Sequence, residues 1–396
     1  MGTHVIDMKT VSKQTPAAWL KTRASDSQDR GTRLDGLTSL RFLAALHVIL
    51  FHLKVEGILS GGPWWYQNFA GIGYIGVNFF FVLSGFILVF SYADRDVETG
   101  RFWRARFARL YPTYLMSLAV TAPGFLFALK HLNLPFFAWS QSHPALAVIA
   151  TIMLLQAWIP QGALTWNPVC WSLSVESFFY SMFPFIVQRT RRFGNRKLLL
   201  GIGASSLASL AISISYVALH PDGVNKINSS EVTLLWKNLL SFNPLVRLPE
   251  FIVGMLAGQL FLALRCRHRL GTICIASGVG IILLTTALVG KIPNPLISAG
   301  FLSPAFAAII FGVAQQPRWT RILSFRPFVL LGHASYGLYL FHSYVISRTF
   351  AALPRWPYGL RVSGCVAAAI AVSIASYYLI EEPARRRLGP KSRPCA

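Results

Sequence analysis

Apolar residues along the chain are gathered into runs of about twenty, separated by shorter polar segments. A helix of that length crosses a hydrocarbon core of roughly 30 Å and satisfies its own backbone in lipid. The pattern predicts an all-α, polytopic membrane bundle with about ten transmembrane helices. The predicted spans cover residues 37–56, 73–93, 110–129, 169–188, 198–219, 246–264, 270–290, 295–315, 328–350 and 360–380.

One further apolar segment, "ALAVIATIMLLQAW" at residues 145–158, does not fit this alternation. If it crossed the membrane, the basic stretch "RTRRFGNRK" would face the side opposite to the other basic loops. Its fourteen residues are also too few for a full crossing. We therefore predict one short re-entrant or interfacial helix on the outer side.

The formal net charge of +23 could indicate nucleic-acid binding, so the positions of the basic residues matter. Of the 37 Lys and Arg residues, 27 lie in the two tails and in alternate loops, which is the bias that marks a cytoplasmic face. We predict no nucleic-acid partner and two cytoplasmic termini. The chain then divides into a polar tail at 1–33, a membrane domain at 34–383 and a basic tail at 384–396.

The first predicted span contains charge within an apolar run, "LTSLRFLAALHVILFHL". Arg41 and His52 are eleven residues apart, which is about three helical turns or 16 Å, so they share a helix face. Intramembrane ionisable groups usually face a bundle interior or a wet cavity, which predicts that the two line one path. Alternatively, Arg41 reaches the headgroups and His52 bonds a neighbouring helix.

The segment "LDGLTSLRFLAALHVILFH" resembles the opening motif of the acyltransferase 3 family of membrane proteins, in which Arg is followed by ten residues and a His. The resemblance continues in the family's order from about residue 33 to 387. Its further blocks are "GYIGVNFFFVLSGFIL", "FWRARFARLYPTYLMSL", "WNPVCWSLSVESFFYSMFPFI", "ASYGLYLFH" and "IEEPARRR".

Membership would imply an enzyme that moves an acyl group, most often acetyl, from cytoplasmic acyl-coenzyme A to a hydroxyl. The acceptor would be a glycan, a glycolipid or a similar molecule. Acyl-coenzyme A would be a substrate, with no permanently bound cofactor. The expected surroundings are membrane lipid of the bacterial inner membrane and glycan biosynthesis or export proteins. Some relatives carry a fused hydrolase-like domain, and here the membrane core is expected to complete the transfer alone.

Ester formation from a thioester needs a base near the acceptor hydroxyl, and a neutral imidazole titrates close to working pH. His52 is the predicted base, or alternatively a covalent acyl carrier. Glu176 lies about 10 Å deep in its span, at a depth similar to that of His52, and could orient the imidazole. It could instead be a structural carboxylate. The predicted catalytic residues are His52, Glu176 and Arg41.

Donor binding is assigned to arginines, because forked guanidinium groups bind phosphates well. Arg106 and Arg109 share a helix face and match the family's R-x-x-R, and Arg41 would continue this path toward the pantetheine arm. The alternative for the pair is ordinary positive-inside bias. The scattered cysteines, without paired spacing, predict no metal site.

Weaker predictions concern substrate binding, with helix packing as the alternative throughout. The candidates are Ser84, Asn78, Tyr339, His342 and Glu250. Glu250 is expected to form a surface pair with Arg247. Two consecutive glutamates, Glu381 and Glu382, are expected to cap and anchor the last helix.

Two other classes remain open. A transporter or flippase could use the same intramembrane charges as a relay, although the two halves of the chain show no similarity of the kind that favours a transporter. An inactive scaffold of a glycan-export complex is the third alternative.

Overall fold

The computed structural model describes the backbone of residues 16–390 except 60, 94–95, 229–230, 232, 265–266 and 316–317, and the side chains from residue 35 onward except 318. All regular structure in this part of the chain is helical. The α-helices, numbered α1 to α16 in order, are Pro16–Val55, Trp64–Gly71, Ile75–Ser91, Thr99–His131, Ala138–Ser142, Pro144–Ile152, Trp171–Thr190, Asn195–Leu219, Leu235–Phe242, Pro244–Ala263, His268–Ala287, Asn294–Ser298, Ser303–Ala314, Arg326–Ala352, Tyr358–Ser376 and Glu382–Leu388.

Many of these helices can cross a membrane. Within the described residues, eight helical segments are long and apolar enough, and the pair α2 and α3, which meet at a 50° bend, raises the number to nine. The predicted polytopic helical bundle is thereby confirmed, with a count close to the expected ten. The ninth predicted span, 328–350, lies in α14, which has 27 residues but is too polar to meet the same criterion.

The polarity of α14 follows from its surroundings. The helix packs against α1 on one side and α15 on another. At Gly332 the two backbones are so close that a Cβ would lie 2.1 Å from the carbonyl oxygen of Thr38. Polar residues of α14, including Ser335 and His342, are buried within the protein. A helix that is enclosed in this way does not need an apolar surface toward lipid.

Two helices extend beyond the predicted spans. Helix α1 begins at Pro16, so residues 16–33 of the predicted polar tail are helical, and residues 1–15 lie outside the described part. Helix α4 begins at Thr99 and has 33 residues, so the arginine pair at its start belongs to the same helix as the third span. These extensions are not apolar, which is why the hydrophobic pattern alone did not include them.

The segment predicted as a short outer helix contains α6, which has nine residues, followed by a 3₁₀ turn at Gln156–Trp158. Its end is fixed against α4, because the hydroxyl of Tyr111 donates to the carbonyl of Ile152 at 2.7 Å, and that of Tyr114 donates to Thr151. A nine-residue helix is about 14 Å long, which confirms that it is too short to cross a membrane.

Helices α3 and α10 pack with their backbones in contact. A Cβ at Gly254 would lie 1.9 Å from the carbonyl oxygen of Val82, and one at Gly85 would lie 2.3 Å from that of Phe251. Gly258 follows Gly254 at the spacing that permits close helix approach in membranes. This contact fixes the depth and rotation of α3, which carries part of the candidate site.

Candidate active site

Five helices, α1, α3, α4, α7 and α14, enclose a cavity of about 680 Å³ counted with its open mouth. Each helix contributes at least one polar side chain to the wall. Among the lining residues are Arg41, Ser84, Arg109, Glu176, Tyr180 and Tyr339. Residues from five of the sequence motifs are therefore brought together in one internal space, which we call the inner cavity.

A second cavity, of about 1,050 Å³ with its mouth, lies at the end of the bundle where α15 passes into α16. We call it the entrance cavity. It shares Arg41, Ile87, Arg109 and Tyr336 with the inner cavity, so the two spaces meet at these residues. The two cavities therefore adjoin at four side chains, two of which carry guanidinium groups.

The junction of the two cavities is cationic. Arg41 and Arg109 border both cavities, and Arg106 lines the inner cavity. The guanidinium of Arg106 lies 5.7 Å from the ring centre of Phe102 and 5.8 Å from that of Tyr180. The Nε atoms of Arg41 and Arg106 are buried and have no hydrogen-bond partner within the described residues. Because buried donors are normally paired, these atoms are suited to an anionic ligand.

Glu176 lies on the wall of the inner cavity, but it is not the partner of His52. Its carboxylate accepts hydrogen bonds from the hydroxyls of Ser84, at 3.3 Å, and Tyr180. The Nδ1 atom of His52 instead bonds the carbonyl oxygen of Val48 on the same helix, at 2.9 Å. The predicted pairing of Glu176 with the imidazole is therefore wrong, since equal depth did not place the two residues side by side.

His52 lies beyond the inner cavity, on the far side of two other rings. Its imidazole meets that of His342 edge to face, with ring centres 4.6 Å apart. The ring of His342 in turn lies 6.1 Å from that of Tyr339, which lines the cavity. Arg41 lines the inner cavity, as predicted. His52 does not line this cavity and is connected to it through the rings of His342 and Tyr339.

Tyr339 is held in place at the end of the inner cavity. Its hydroxyl donates to the carbonyl of Val169 at 2.9 Å and accepts from the hydroxyl of Ser172 at 2.8 Å. Ser172 also lines the cavity. The hydroxyl of Tyr339 therefore has both of its polar contacts satisfied, and its ring separates the cavity from the histidine pair in this structure.

Three of the substrate-binding candidates, Asn78, His342 and Glu250, lie outside both cavities. The amide of Asn78 donates to the carbonyl of Ser298 at 2.9 Å, and Nη1 of Arg247 donates to the same carbonyl. Arg247 also pairs with Glu250 at 2.7 Å. The expected pair is formed, but both side chains are at most 3% exposed, so its predicted position at the surface is wrong. The cluster joins α3, α10 and α12.

Replacing Glu250 by Ala should destabilise the protein by about 3–5 kcal/mol, because Arg247 would keep a buried charge without its counter-ion. Denaturant unfolding of the purified protein in detergent would measure this change. The matched control is Asp96→Ala, which breaks the exposed pair of Asp96 with Arg191 and should leave the unfolding midpoint unchanged. Equal effects of the two substitutions would contradict the structural role of the buried pair.

Sequence reasoning missed several residues that the structure places at the site. Glu382 pairs with Arg385 and Arg386, as expected for an anchor. Both glutamates line the entrance cavity, and Oε1 of Glu381 is buried without a hydrogen-bond partner among the described residues. Glu381 is the last residue of a π-helical turn, Tyr377–Glu381.

Three aromatic or imidazole side chains were missed as well: Tyr180 and Tyr336 line the inner cavity, and His333 lines the entrance cavity. Tyr180 lies one turn after Glu176, and Tyr336 one turn before Tyr339, so the helical repeat could have identified both. Among the residues that the structure describes, no group of three or more metal-ligating side chains is found.

Comparison with known proteins agrees with this geometry. The profile of the acyltransferase 3 family, described as an acyltransferase domain, matches residues 34–378. The chain is 29% identical to acyltransferase MdmB of Streptomyces mycarofaciens, over 93% of this chain and 95% of that protein. It is 26% identical to O-acetyltransferase OatA of Staphylococcus aureus and 28% identical to peptidoglycan O-acetyltransferase OatA of Listeria monocytogenes, over 89% and 88% of this chain.

The chain spans 57% and 55% of the length of these two OatA proteins. No solved structure matches it significantly. The family profile nevertheless covers most of the chain, and its relatives are named acyltransferases or O-acetyltransferases. The chain therefore belongs to the acyltransferase 3 family and is a multi-pass membrane O-acyltransferase.

Proposed function

We propose that the enzyme transfers an acyl group, most simply acetyl, from acyl-coenzyme A to a hydroxyl of a carbohydrate or glycolipid. The observation that carries this proposal is the pair of joined cavities with Arg41 and Arg109 at their junction. A long donor with phosphates at one end and a thioester at the other fits such a passage. Acyl-coenzyme A is a donor of this shape and charge.

In this proposal the phosphates of the donor lie against Arg41, Arg106 and Arg109. The unpartnered Nε atoms of Arg41 and Arg106 then gain charge-assisted hydrogen bonds. The entrance cavity opens to the cytoplasm, because α16 and the loops at that end are the basic ones. Coenzyme A is cytoplasmic, which agrees with an enzyme of the bacterial inner membrane whose two termini face the cytoplasm.

His52 is the proposed base. A carbonyl oxygen only accepts, so the bond to Val48 places the proton of the neutral ring on Nδ1 and leaves Nε2 free to accept the hydroxyl proton. An acyl-imidazole formed on the same Nε2 is the alternative route. Either route requires the acyl carbon to come within about 3.5 Å of the reacting atom. Phe80 and Tyr339 pack edge to face at the end of the cavity, with ring centres 6.1 Å apart, so these two side chains must move apart before the thioester can reach His52.

The acceptor would approach His52 from the end opposite to the donor. One turn beyond His52, the exposed Glu56 accepts a hydrogen bond from the hydroxyl of Ser343 at 3.2 Å. Carboxylate and hydroxyl groups are suitable partners for sugar hydroxyls. The relative from Listeria is named for peptidoglycan, which supports a carbohydrate acceptor for this chain. Mass spectrometry of surface glycans with and without the gene would identify the modified molecule.

Replacement of both Arg106 and Arg109 by Ala should weaken donor binding. A hydrogen bond to a charged group contributes about 1.5–3 kcal/mol, so the KM for acetyl-coenzyme A should rise at least about tenfold. The thermal stabilisation of the detergent-purified enzyme by acetyl-coenzyme A should be lost at the same time. Coenzyme A release in the presence of an acceptor glycan provides the rate.

The matched control for this variant replaces Arg101 and Arg104 by Ala. It removes the same charge from the same end of α4, but neither residue lines a cavity, and Arg104 is exposed. Its KM and thermal shift should stay close to those of the native enzyme. If wild-type protein is not stabilised by acetyl-coenzyme A and instead carries solute flux in liposomes, the enzyme proposal fails and a transporter is favoured.

A further inference from the structure

His342 is the most deeply enclosed ionisable residue near the proposed reaction centre. It is 1% exposed and lies on α14 between His52 and Tyr339. Its Nε2 atom is buried and has no hydrogen-bond partner within the described part of the chain. Buried polar atoms without partners are rare in folded proteins, so this nitrogen requires an explanation.

The protonation of both rings follows from their backbone contacts. Nδ1 of His342 bonds the carbonyl oxygen of Tyr339 at 2.8 Å, and Nδ1 of His52 bonds that of Val48 at 2.9 Å. Because a carbonyl only accepts, each neutral ring has its proton on Nδ1. Both Nε2 atoms are therefore basic, in two imidazoles whose centres are 4.6 Å apart.

The position of His342 also connects two parts of the site. The cavities that would hold the donor end at Tyr339, and His342 lies between the ring of Tyr339 and that of His52. In the transfer, the hydroxyl proton is released at His52 and is needed by the thiolate that leaves on the donor side. His342 is the imidazole between these two points.

We propose that His342 shares with His52 the proton that is removed from the acceptor hydroxyl and passes it to the leaving thiolate. This inference rests on the proposed acyl transfer. As the acceptor oxygen bonds to the acyl carbon, the carbon–sulfur bond breaks and its electron pair leaves with sulfur. The hydroxyl proton moves to Nε2 of His52. It then moves to Nε2 of His342 and finally to sulfur, so both imidazoles end neutral.

The test is His342→Asn in the full-length enzyme. An asparagine amide can still donate to the carbonyl of Tyr339, but it has no titratable nitrogen in place of Nε2. The expected result is a fall in kcat of about 100-fold with an unchanged KM for acetyl-coenzyme A, because donor binding does not involve this residue. The thermal stabilisation by acetyl-coenzyme A should also persist, which shows that the variant is folded.

The matched control is His268→Asn, since His268 makes the same kind of bond from Nδ1 to the carbonyl of Gln315, at 2.8 Å, far from the site. Its kcat should equal that of the native enzyme. His342→Gln is a second variant without a titratable atom, and it decides the result if the Asn variant does not fold. Native kcat in a folded His342 variant, while His52→Asn is inactive, would overturn the relay and leave the proposed function standing. Absence of transfer by the wild-type enzyme would overturn both.

Discussion

The His52→Asn enzyme is expected to lose acyl transfer by about 10²–10⁴-fold, which is the range that a positioned general base contributes. The substitution removes Nε2, the atom that would accept the hydroxyl proton. It can keep the hydrogen bond to the carbonyl of Val48, because the amide group of Asn can occupy the position of Nδ1. The measurement is coenzyme A release by purified enzyme with saturating acetyl-coenzyme A and an acceptor glycan.

Donor binding separates a chemical defect from a structural one in this experiment. Helix α1 also carries Arg41, so a misplaced helix would weaken the response to acetyl-coenzyme A. The thermal shift produced by the donor should therefore remain in His52→Asn. A second control is His47→Gln on the same helix, whose Nε2 bonds the carbonyl of Phe69 at 2.7 Å and has no proposed catalytic role. Native turnover by His52→Asn would exclude His52 both as base and as acyl carrier.

Gly254→Ala should prevent the bundle from assembling. The new Cβ would lie 1.9 Å from the carbonyl oxygen of Val82, a distance that real contacts do not reach, so α3 and α10 would have to separate by about 1 Å or more. Inserting a methyl group into a well-packed contact costs about 1–3 kcal/mol. Because the atoms on both sides of this contact belong to the backbone and cannot move aside, we expect Gly254→Ala to destabilise the protein by at least the upper value of this range. The amount of monodisperse protein extracted in mild detergent would measure the loss.

Gly280→Ala is the matched control for this substitution. Gly280 lies within α11, and a Cβ there would meet nothing within 4 Å. Alanine also has the higher helix propensity, so the control should be extracted at least as well as the native protein. A fully folded Gly254→Ala protein would mean that the two helices do not pack as closely as the structure shows.

The positions of most helices could be predicted from the sequence, because lipid imposes a length and an apolar composition that are visible in one dimension. The contact between α3 and α10 could not be predicted in the same way. Gly85 and Gly254 are far apart in the chain. Each position requires glycine only because a backbone carbonyl of the other helix lies against it in the folded protein. Likewise, the polar start of α4 carries no hydrophobic signal, although it continues a transmembrane helix.

The candidate site was predicted in part. The structure places Arg41, Arg109 and Glu176 on one cavity, as expected for residues of functional motifs. The predicted pairing of Glu176 with His52 failed because residue spacing gives depth in the membrane and not rotation around the bundle. A different reason applies to Glu381, since two consecutive glutamates at a helix end both suggest an anchor, and only the structure shows that one of the two carboxylates lacks a partner in the entrance cavity.

The polarity of α14 has a consequence for how the protein is made. A segment less apolar than the other spans gains less from contact with lipid, so its place in the membrane depends more on packing against neighbouring helices. Helix α1, one of its two main neighbours, is synthesised more than two hundred residues earlier, while α15 emerges directly afterwards. During biogenesis we therefore expect the flank of α1 that contacts α14 to lack its final partner until α14 is synthesised, and a membrane chaperone that shields this flank should increase the yield.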